Sequence, residues 1–383
     1  MFDKLIQNYK IFTDVNIHNP LCDYFDCNNI LYNHLPTEQE KIALIDQLLY
    51  LSDNRRTLLI IGPSTLVKLI EQKSTYNNFV DLVDKKNKIK LIYYHEDSLT
   101  IFGKKYNIGF HSEQKEETFE IFKKLKCDWW GEITFGSFIK KELENKNFFE
   151  MHHTFFSSSF DYHHLFHCIK QINKTNTFFS LFMLHSEDSR RNRKILLDEI
   201  KNKYYAKDAI LKVNHTPKDY NDTKVFADIN LKFGLTFSKN TIKRPIPVPT
   251  YYEKTYFELV CETLGSLDYD DTFWITEKTV KPIAMGHPFI VLSTKHFLKN
   301  LKKLGFKTFG NYIDESYDEC DLVEDRIKII SRNLEKLNLN ESKKFYQDTK
   351  SIREFNQQHL LYLHGSYKFN FWKNLNQYFS NLD

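Results

Sequence analysis

Short apolar runs that end in turn residues, and that alternate with amphipathic segments, constrain the fold of this chain more than any other feature. The run Thr177-Phe-Phe-Ser-Leu-Phe-Met-Leu184 is followed by a polar turn over 185–192 and an amphipathic segment over 193–203. A strand that is apolar throughout is typical of a parallel sheet covered on both faces. Strand, helix and strand in short units predict right-handed crossovers. The pattern therefore predicts an α/β fold.

The same alternation recurs along the chain. Further strands are predicted over 56–61, 88–94, 256–261, 289–292 and 306–309. Helices are predicted over 65–72, 116–125, 138–143, 276–285, 295–304 and 321–337, with Ser293 as the cap of the helix over 295–304. The tail from Lys343 has an aromatic, helical pattern that is broken at Gly365, and the proline-rich stretch 213–250 is predicted to be irregular.

The length of 383 residues predicts two domains, each large enough to bury its own core. A polar segment, Asn173-Lys-Thr-Asn176, separates two blocks of predicted strands and helices. We expect a Rossmann-like domain over 1–172, a second one over 173–345, and a helical tail over 346–383 that can pack back on the first domain. Two such domains would face a central cleft lined by loops at the carboxyl ends of their strands.

Charge and cysteine usage exclude several classes of protein. The 54 Lys+Arg and 50 Asp+Glu give a net charge of +4, which neither requires nor forbids a polyanionic partner. The six cysteines are scattered and contain no Cys-x-x-Cys pair, which argues against a disulfide scaffold and a four-cysteine zinc site. No apolar run approaches the ~20 residues that a membrane span needs, and the first ten residues, without a basic segment followed by an apolar one, argue against a secretory signal. We expect a cytoplasmic protein, or one of the host cytoplasm if the chain is viral.

The strongest candidate site is the predicted helix start at Thr276-Glu277-Lys278. Thr276 can cap the helix, and the unpaired N–H groups and positive dipole end of its first turn favour an anion. Lys278 would add a positive charge for a phosphate, and Glu277 can accept two hydrogen bonds from a vicinal diol such as a ribose. The alternative is an ordinary capped helix with solvated charges, which composition alone favours. Pro282 lies deep enough to shorten or kink the helix.

The order of residues across 256–292 favours a binding site over an ordinary capped helix. Glu262, the acidic loop Asp268-Tyr-Asp-Asp271, the aromatic Trp274, Ile-Thr-Glu-Lys, a small-residue helix, Gly-x-Pro and an apolar strand follow one another. This order resembles the donor-binding motif of the α1,3-fucosyltransferase family, which are inverting glycosyltransferases of the GT-B architecture with two Rossmann-like domains. The resemblance is weaker over 177–200 and is not detectable in the first 150 residues.

The resemblance implies roles for individual residues. Glu277 would bind the donor ribose and Lys278 the diphosphate, with Thr276 at the start of the same motif. Trp274 stands where the family has a tyrosine beside the nucleotide, and Glu262 matches an upstream glutamate of the family. The sequence departs from the family pattern at Lys281-Pro282 and in the spacing of Gly286-His287-Pro288, which leaves the sugar and the nucleobase of the donor open.

A basic turn, Ser186-Glu-Asp-Ser-Arg-Arg-Asn-Arg-Lys194, is the second candidate, because it follows a predicted buried strand and opens a helix. The same family carries an arginine at the start of the corresponding helix that contacts the diphosphate. By its spacing to Leu197-Asp198, Arg193 matches best and Arg191 second. The alternative is a solvated basic face.

Transfer to an acceptor hydroxyl also needs a base. Glu96 and Asp97 directly follow a predicted strand and are the candidates, with His95 beside them and Asp161 as a rival. His163 and His167 have the spacing of a helical zinc pair, but no third ligand is evident, so we predict structural histidines and no metal.

Together these observations predict a metal-independent glycosyltransferase that takes a UDP- or GDP-sugar as its co-substrate, with no other cofactor. Two acceptors stay open: a glycan, or a hydroxymethylated pyrimidine in DNA, as in a phage-type DNA glycosyltransferase. Basic turns over 85–88, 123–124 and 140–141 could contact a duplex. The alternative from another class is a non-catalytic nucleotide-binding or scaffold module.

Overall fold

In a computed structural model, the chain forms two compact units. It describes residues 8–14, 20–35, 37, 40, 43, 56–62, 65, 77, 79–85, 88–95, 127–132, 148–151, 174–183, 191–214, 249–262, 273 and 275–382. The first unit comprises Met1–Thr154 and Ser366–Asp383, and the second comprises Phe155–Gly365. The sequence placed the boundaries after residues 172 and 345, whereas the units divide after 154 and 365.

The first unit contains a six-stranded parallel sheet in the order β2-β1-β3-β4-β5-β6. Its strands are β1 (Tyr9–Thr13), β2 (Asn33–His34), β3 (Arg56–Ile61), β4 (Ile89–His95), β5 (Cys127–Glu132) and β6 (Phe148–Met151). The strands predicted over 56–61 and 88–94 are therefore present. A π-helical turn, Asp81–Lys85, precedes β4.

The core of the first unit is built from both ends of the chain. Helix α1 (Pro20–Cys27) buries Tyr24 and Phe25 against Phe371 and Phe379 near the carboxyl terminus. Two polar contacts accompany this packing, from the Tyr24 hydroxyl to Asn376 Oδ1 (2.5 Å) and from the Tyr9 hydroxyl to the Leu382 carbonyl (2.8 Å). The aromatic tail is thus part of this core.

The second unit contains a four-stranded parallel sheet in the order β10-β9-β7-β8. Its strands are β7 (Asn176–Met183), β8 (Ile210–Asn214), β9 (Thr255–Cys261) and β10 (Phe289–Leu292). Every residue of β9 and β10 is buried, as expected for strands covered on both faces. The chain runs outward from β7 to β8 and then returns past β7 to β9. The carboxyl ends of β7 and β9 therefore form the point where strand order reverses, where ligands bind in open α/β sheets.

Seven helices follow β7 in the described chain, the first of them before β8. They are α2 (Arg191–Ile200), α3 (Pro249–Lys254), α4 (Glu277–Ala284), α5 (Phe297–Lys303), α6 (Val323–Lys336), α7 (Leu339–Asp348) and α8 (Lys350–Ser380), with 3₁₀ turns at Tyr204–Asp208 and Ser316–Glu319. The two parallel sheets and these helices show the predicted α/β class.

Helix α4 begins and ends as its sequence predicts. Thr276 is its N-cap, and the Thr276 hydroxyl accepts a hydrogen bond from the Lys278 backbone N–H (3.2 Å). Gly286, just past the helix, has φ +59°, the left-handed conformation that glycine adopts without strain. The helix has eight residues and contains Pro282, so the expected short helix is present.

The strand predicted over 306–309 is wrong, because side chains take the backbone groups that a neighbouring strand would need. The amide of Asn356 accepts from the Lys307 N–H (2.9 Å) and donates to the Lys307 carbonyl (2.8 Å). The Phe309 N–H donates to Glu315 Oε1 (2.7 Å). This segment is an extended loop held by α8.

Two predicted helix signals are also wrong. The cap of α5 is not Ser293: helix α5 starts after His296, and Asp318 accepts from the N–H groups of Leu298 (2.8 Å) and Lys299 (3.0 Å). Helix α8 is not broken at Gly365. Buried side chains on both sides of that glycine stabilise the helix more than its intrinsic cost, about 1 kcal/mol, weakens it.

Candidate functional site

The candidate site lies where the carboxyl end of β9 meets the first residues of α2 and α4. Glu262 directly follows β9, and Asn192 in the first turn of α2 donates from Nδ2 to the Glu262 carbonyl (3.2 Å). The backbone N–H of Thr276, the cap of α4, donates to Glu262 Oε1 (3.3 Å). These bonds bring together two helix starts that are more than 80 residues apart in the sequence.

The side chain of Glu262 joins α4 to the sheet. It is fully buried, and its carboxylate accepts hydrogen bonds from the hydroxyls of Thr276 and Thr279, each at 2.6 Å. Because a buried carboxylate is costly unless it is hydrogen-bonded, these contacts hold the start of α4 in one position. Glu262, predicted as a donor-binding residue, thus lies at the predicted site, where its carboxylate accepts hydrogen bonds from other side chains of the protein.

Glu277 and Lys278 pair with one another at the start of α4. Lys278 Nζ lies 2.6 Å from Glu277 Oε1. The side chain of Lys278 is 24% exposed, and that of Glu277 is 12% exposed. Burial by itself raises the pKa of the Glu277 carboxyl, but the charges of Lys278 and Lys281 and the hydrogen bond from Lys278 hold that pKa at about 2. Glu277 is therefore ionised at neutral pH and can accept hydrogen bonds through its oxygens.

Arg193 lies beside the end of β9. It is 1% exposed, and its charge acts on the thiol of Cys261, the last residue of β9. Burial raises the pKa of the Cys261 thiol to about 12, the positive charges of Arg193 and Lys278 oppose that rise, and the charge of Glu262 adds to it. Arg193, Lys278 and Glu262 all act on the Cys261 thiol, so all three charged groups lie near the carboxyl end of β9.

Arg191 points elsewhere. Its side chain is 69% exposed and pairs with Glu324 of α6 at 3.3 Å. The two arginines that the sequence offered for the same role therefore differ in environment, since only Arg193 is brought to the end of β9. Their order on α2 explains this, because residues two apart on a helix do not share a face.

Three predicted site residues lie outside the described residues: Trp274, Glu96 and Asp97. The two carboxylates come directly after His95, the last residue of β4. Asp161, His163 and His167 are outside the described residues as well. The roles predicted for these side chains stay predictions.

The sequence interpretation missed two buried charged residues close to the start of α4. Lys281 lies one helical turn after Glu277, 6% exposed, and Glu258 lies in β9, also 6% exposed, where it accepts a hydrogen bond from the Tyr252 hydroxyl (2.9 Å). Burial raises the pKa of Glu258 to about 8 against the opposing effects of Lys281 and Tyr252. Burial also lowers the pKa of Lys281, against the charges of Glu277 and Glu258.

These residues carried a signal in the sequence. Lys281 follows Glu277 by four positions, which puts both on one helix face, and Glu258 interrupts an otherwise apolar strand. A charged residue inside a buried strand needs a partner from the element that covers it. The signal identifies the need for a partner but not the partner.

The described residues contain no group of three or more His, Cys, Asp or Glu side chains placed to hold a metal ion. Among the helices that the structure describes, none is long and apolar enough to cross a membrane. No protein-family model matches the chain, and no curated protein sequence is significantly similar to it.

Proposed function

We propose that this chain is a glycosyltransferase that binds a nucleotide-diphosphate sugar at the start of α4. The observation that supports it is the ionised Glu277 beside Lys278 at a capped helix start, next to the point where strand order reverses. Glu277 suits the vicinal hydroxyls of a ribose, and Lys278 suits a phosphate. The resemblance of 256–292 to the donor motif of the α1,3-fucosyltransferases supports the same assignment.

Arg193 would add a second cation at the diphosphate. The reaction forms a bond from the acceptor oxygen to the anomeric carbon and breaks the bond from that carbon to the diphosphate, which leaves with both electrons. Lys278, Arg193 and the N–H groups at the start of α4 would stabilise the charge that develops on the departing diphosphate. The proton of the acceptor hydroxyl would pass to Glu96 or Asp97, the residues that follow β4.

The proposal also covers the architecture, the location, the donor and the acceptor of the enzyme. The two units would be the two Rossmann-like domains of a GT-B enzyme, with inversion at the anomeric carbon as the resemblance implies. The described cysteines, Cys22, Cys27, Cys261 and Cys320, are free thiols, which suits a cytoplasmic enzyme. A UDP- or GDP-sugar would be the donor, without a metal. The acceptor would be a glycan or a hydroxymethylated pyrimidine in DNA.

Calorimetry with UDP, GDP and ADP tests the binding site. We expect one of these nucleotides to bind, and Lys278→Ala to weaken that binding about tenfold or more, since a charge-assisted contact to phosphate is lost. Lys328→Ala is the matched control, because Lys328 is 70% exposed on α6 and pairs with Asp325 at 2.9 Å. Equal affinities of the two variants, or no nucleotide binding by the wild type, would refute the site.

Transfer and DNA binding distinguish the functions. A panel of UDP- and GDP-sugars with glycan acceptors and hydroxymethylated duplexes should yield a glycosylated product. A gel shift with plain and hydroxymethylated duplexes at low and moderate salt separates the two acceptors, because phosphate contacts weaken with salt. Nucleotide binding without turnover on any acceptor would favour the non-catalytic binding module instead.

A further inference from the structure

The carboxylate of Glu277, at the start of α4, interacts electrostatically with two lysines. Lys278 Nζ lies 2.6 Å from Glu277 Oε1, and Lys281 lies four residues after Glu277 on the same face of the helix. The charges of both lysines act on the Glu277 carboxyl. Lys278 retains access to solvent, whereas Lys281 is buried.

The pairing of Glu277 with Lys278 conflicts with the roles proposed for them. If Lys278 is to contact a diphosphate, its ammonium group must leave Glu277 Oε1 or share its hydrogen bonds. A largely buried carboxylate that loses its counter-charge is strongly destabilised, because it has been removed from water without compensation. Ribose binding by Glu277 and phosphate binding by Lys278 therefore need a second cation that stays.

Lys281 has the position that this second cation requires. It is buried, 6% exposed, and the charges of Glu277, Glu258 and Glu262 all act on it. Within the described part of the chain, its ammonium group makes no hydrogen bond or ion pair to a side chain, although Glu277, Glu258 and Glu262 all act on it electrostatically. The Glu262 carboxylate is already held by Thr276 and Thr279. The charge of Lys281 is thus not committed to another acid by direct contact.

We propose that Lys281 is a positioning residue that balances the charge of Glu277 when Lys278 turns to the diphosphate of a bound nucleotide. Glu277 and Lys278 can then act on ribose and phosphate at the same time. This inference rests on the proposed function, because it assigns a supporting role within the same binding site. Glu258 of β9 also acts electrostatically on Lys281, although no ion pair joins the two side chains in the described chain.

The test compares a nucleoside with its diphosphate by calorimetry, using uridine and UDP, or guanosine and GDP, whichever pair the wild type binds. The measured quantity is the gain in affinity that the diphosphate adds. Lys281→Met should lower this gain about tenfold while the affinity for the nucleoside changes by less than about threefold, because only the release of Lys278 is impaired. Lys281→Arg, which keeps the charge, should restore the gain.

A double-mutant cycle shows whether the effect passes through Lys278. In the Lys278→Ala background, Lys281→Met should cause no further loss of the diphosphate gain, because no lysine is left to release. An equal further loss would overturn the inference, since Lys281 would then act on the ligand by itself. Parallel loss of nucleoside and diphosphate affinity would overturn it too, because that result reports a general distortion of the site.

Two further outcomes keep the inference separate from the proposed function. If the wild type binds neither UDP nor GDP, the proposed function fails; if it binds one of them and Lys281→Met retains the full gain, the inference alone fails. Circular dichroism checks the folding of each variant, and Lys281→Gln replaces Lys281→Met if the latter does not fold. Unfolding of both variants would contradict the inference, because Lys281 would then serve the fold.

Discussion

Buried cations occur at both ends of the sheet of the second unit, and the two ends use them differently. At the amino-terminal end, Arg353 donates to the carbonyls of Gly286 (2.7 Å) and Tyr346 (2.8 Å), and its guanidinium stacks on the Tyr346 ring at 3.8 Å. The half-buried Lys174 donates to the Tyr252 carbonyl (2.5 Å) and lies 4.7 Å above the Tyr346 ring. These cations bind backbone groups of neighbouring elements.

At the carboxyl-terminal end, the cations face side chains. Lys278 pairs with Glu277, and the buried Lys281 lies among carboxylates without a direct ion pair in the described chain. A backbone carbonyl cannot move away or change its charge, so a cation bound to it serves the fold. A side chain can rotate or exchange its partner for a ligand. The difference teaches that burial alone does not identify a functional cation, whereas the kind of partner does.

The largest effect should come from breaking the amino-terminal end. Arg353→Ala removes two hydrogen bonds to buried carbonyls and the stacking on Tyr346, and we expect it to lower the free energy of unfolding by about 3 kcal/mol. Arg353→Lys should recover part of that loss, since lysine cannot reproduce the planar contact. Thermal or urea unfolding measures both variants, and nucleotide affinity of the folded Arg353→Ala protein should stay within about twofold.

Arg332→Ala is the matched control for that experiment, because Arg332 is exposed on α6 of the same unit. Its effect should be under about 0.5 kcal/mol. If Arg353→Ala unfolds no more easily than this control, the fixed role assigned to the amino-terminal end is wrong.

A smaller effect should come from Glu258, and it should depend on pH. The unfolded chain loses this proton near the ordinary pKa of 4.5, whereas the folded protein retains it up to about pH 8. The folded state therefore binds more protons between these values, and this group makes stability fall as pH rises through that interval. Glu258→Gln keeps the acceptor for the Tyr252 hydroxyl and removes the titration.

The free energy of unfolding of the wild type should therefore fall relative to that of Glu258→Gln as the pH rises. We expect this relative change to reach at least about 1 kcal/mol from pH 5 to pH 8. Urea unfolding at both pH values measures this difference. If the free energies of unfolding of variant and wild type differ by the same amount at pH 5 and pH 8, Glu258 does not titrate between these values. The expected contrast with Arg353, whose charge does not change with pH, would then be wrong.

The smallest effect should come from Arg191. Its exposed pair with Glu324 contributes little, so Arg191→Ala should change the free energy of unfolding by less than about 0.5 kcal/mol and leave nucleotide affinity unchanged. Arg193→Ala should weaken nucleotide binding several-fold in the same assay. If the two substitutions weaken binding equally, the basic turn acts as a diffuse positive surface and the contrast between the two arginines is lost.

Local patterns were enough for much of the second unit. The strands β7, β9 and β10, the cap at Thr276 and the end of α4 at Gly286 all follow from apolar runs, a hydroxyl cap and a glycine with positive φ. Two of the failed predictions share one cause, which is a partner distant in sequence. Asn356 takes the backbone of Lys307, and Asp318 caps α5 from 20 residues away.

The sequence by itself determined the α/β class and the Glu277-Lys278 pair in the first turn of α4, because hydrogen bonding within a helix and the period of apolar residues act over a few neighbours. Only the tertiary structure decided that Arg193 rather than Arg191 lies at the end of β9, and that Lys281 and Glu258 share one buried layer. Burial and electrostatic pairing depend on which elements meet in space, and that choice is made by the packing of the whole unit.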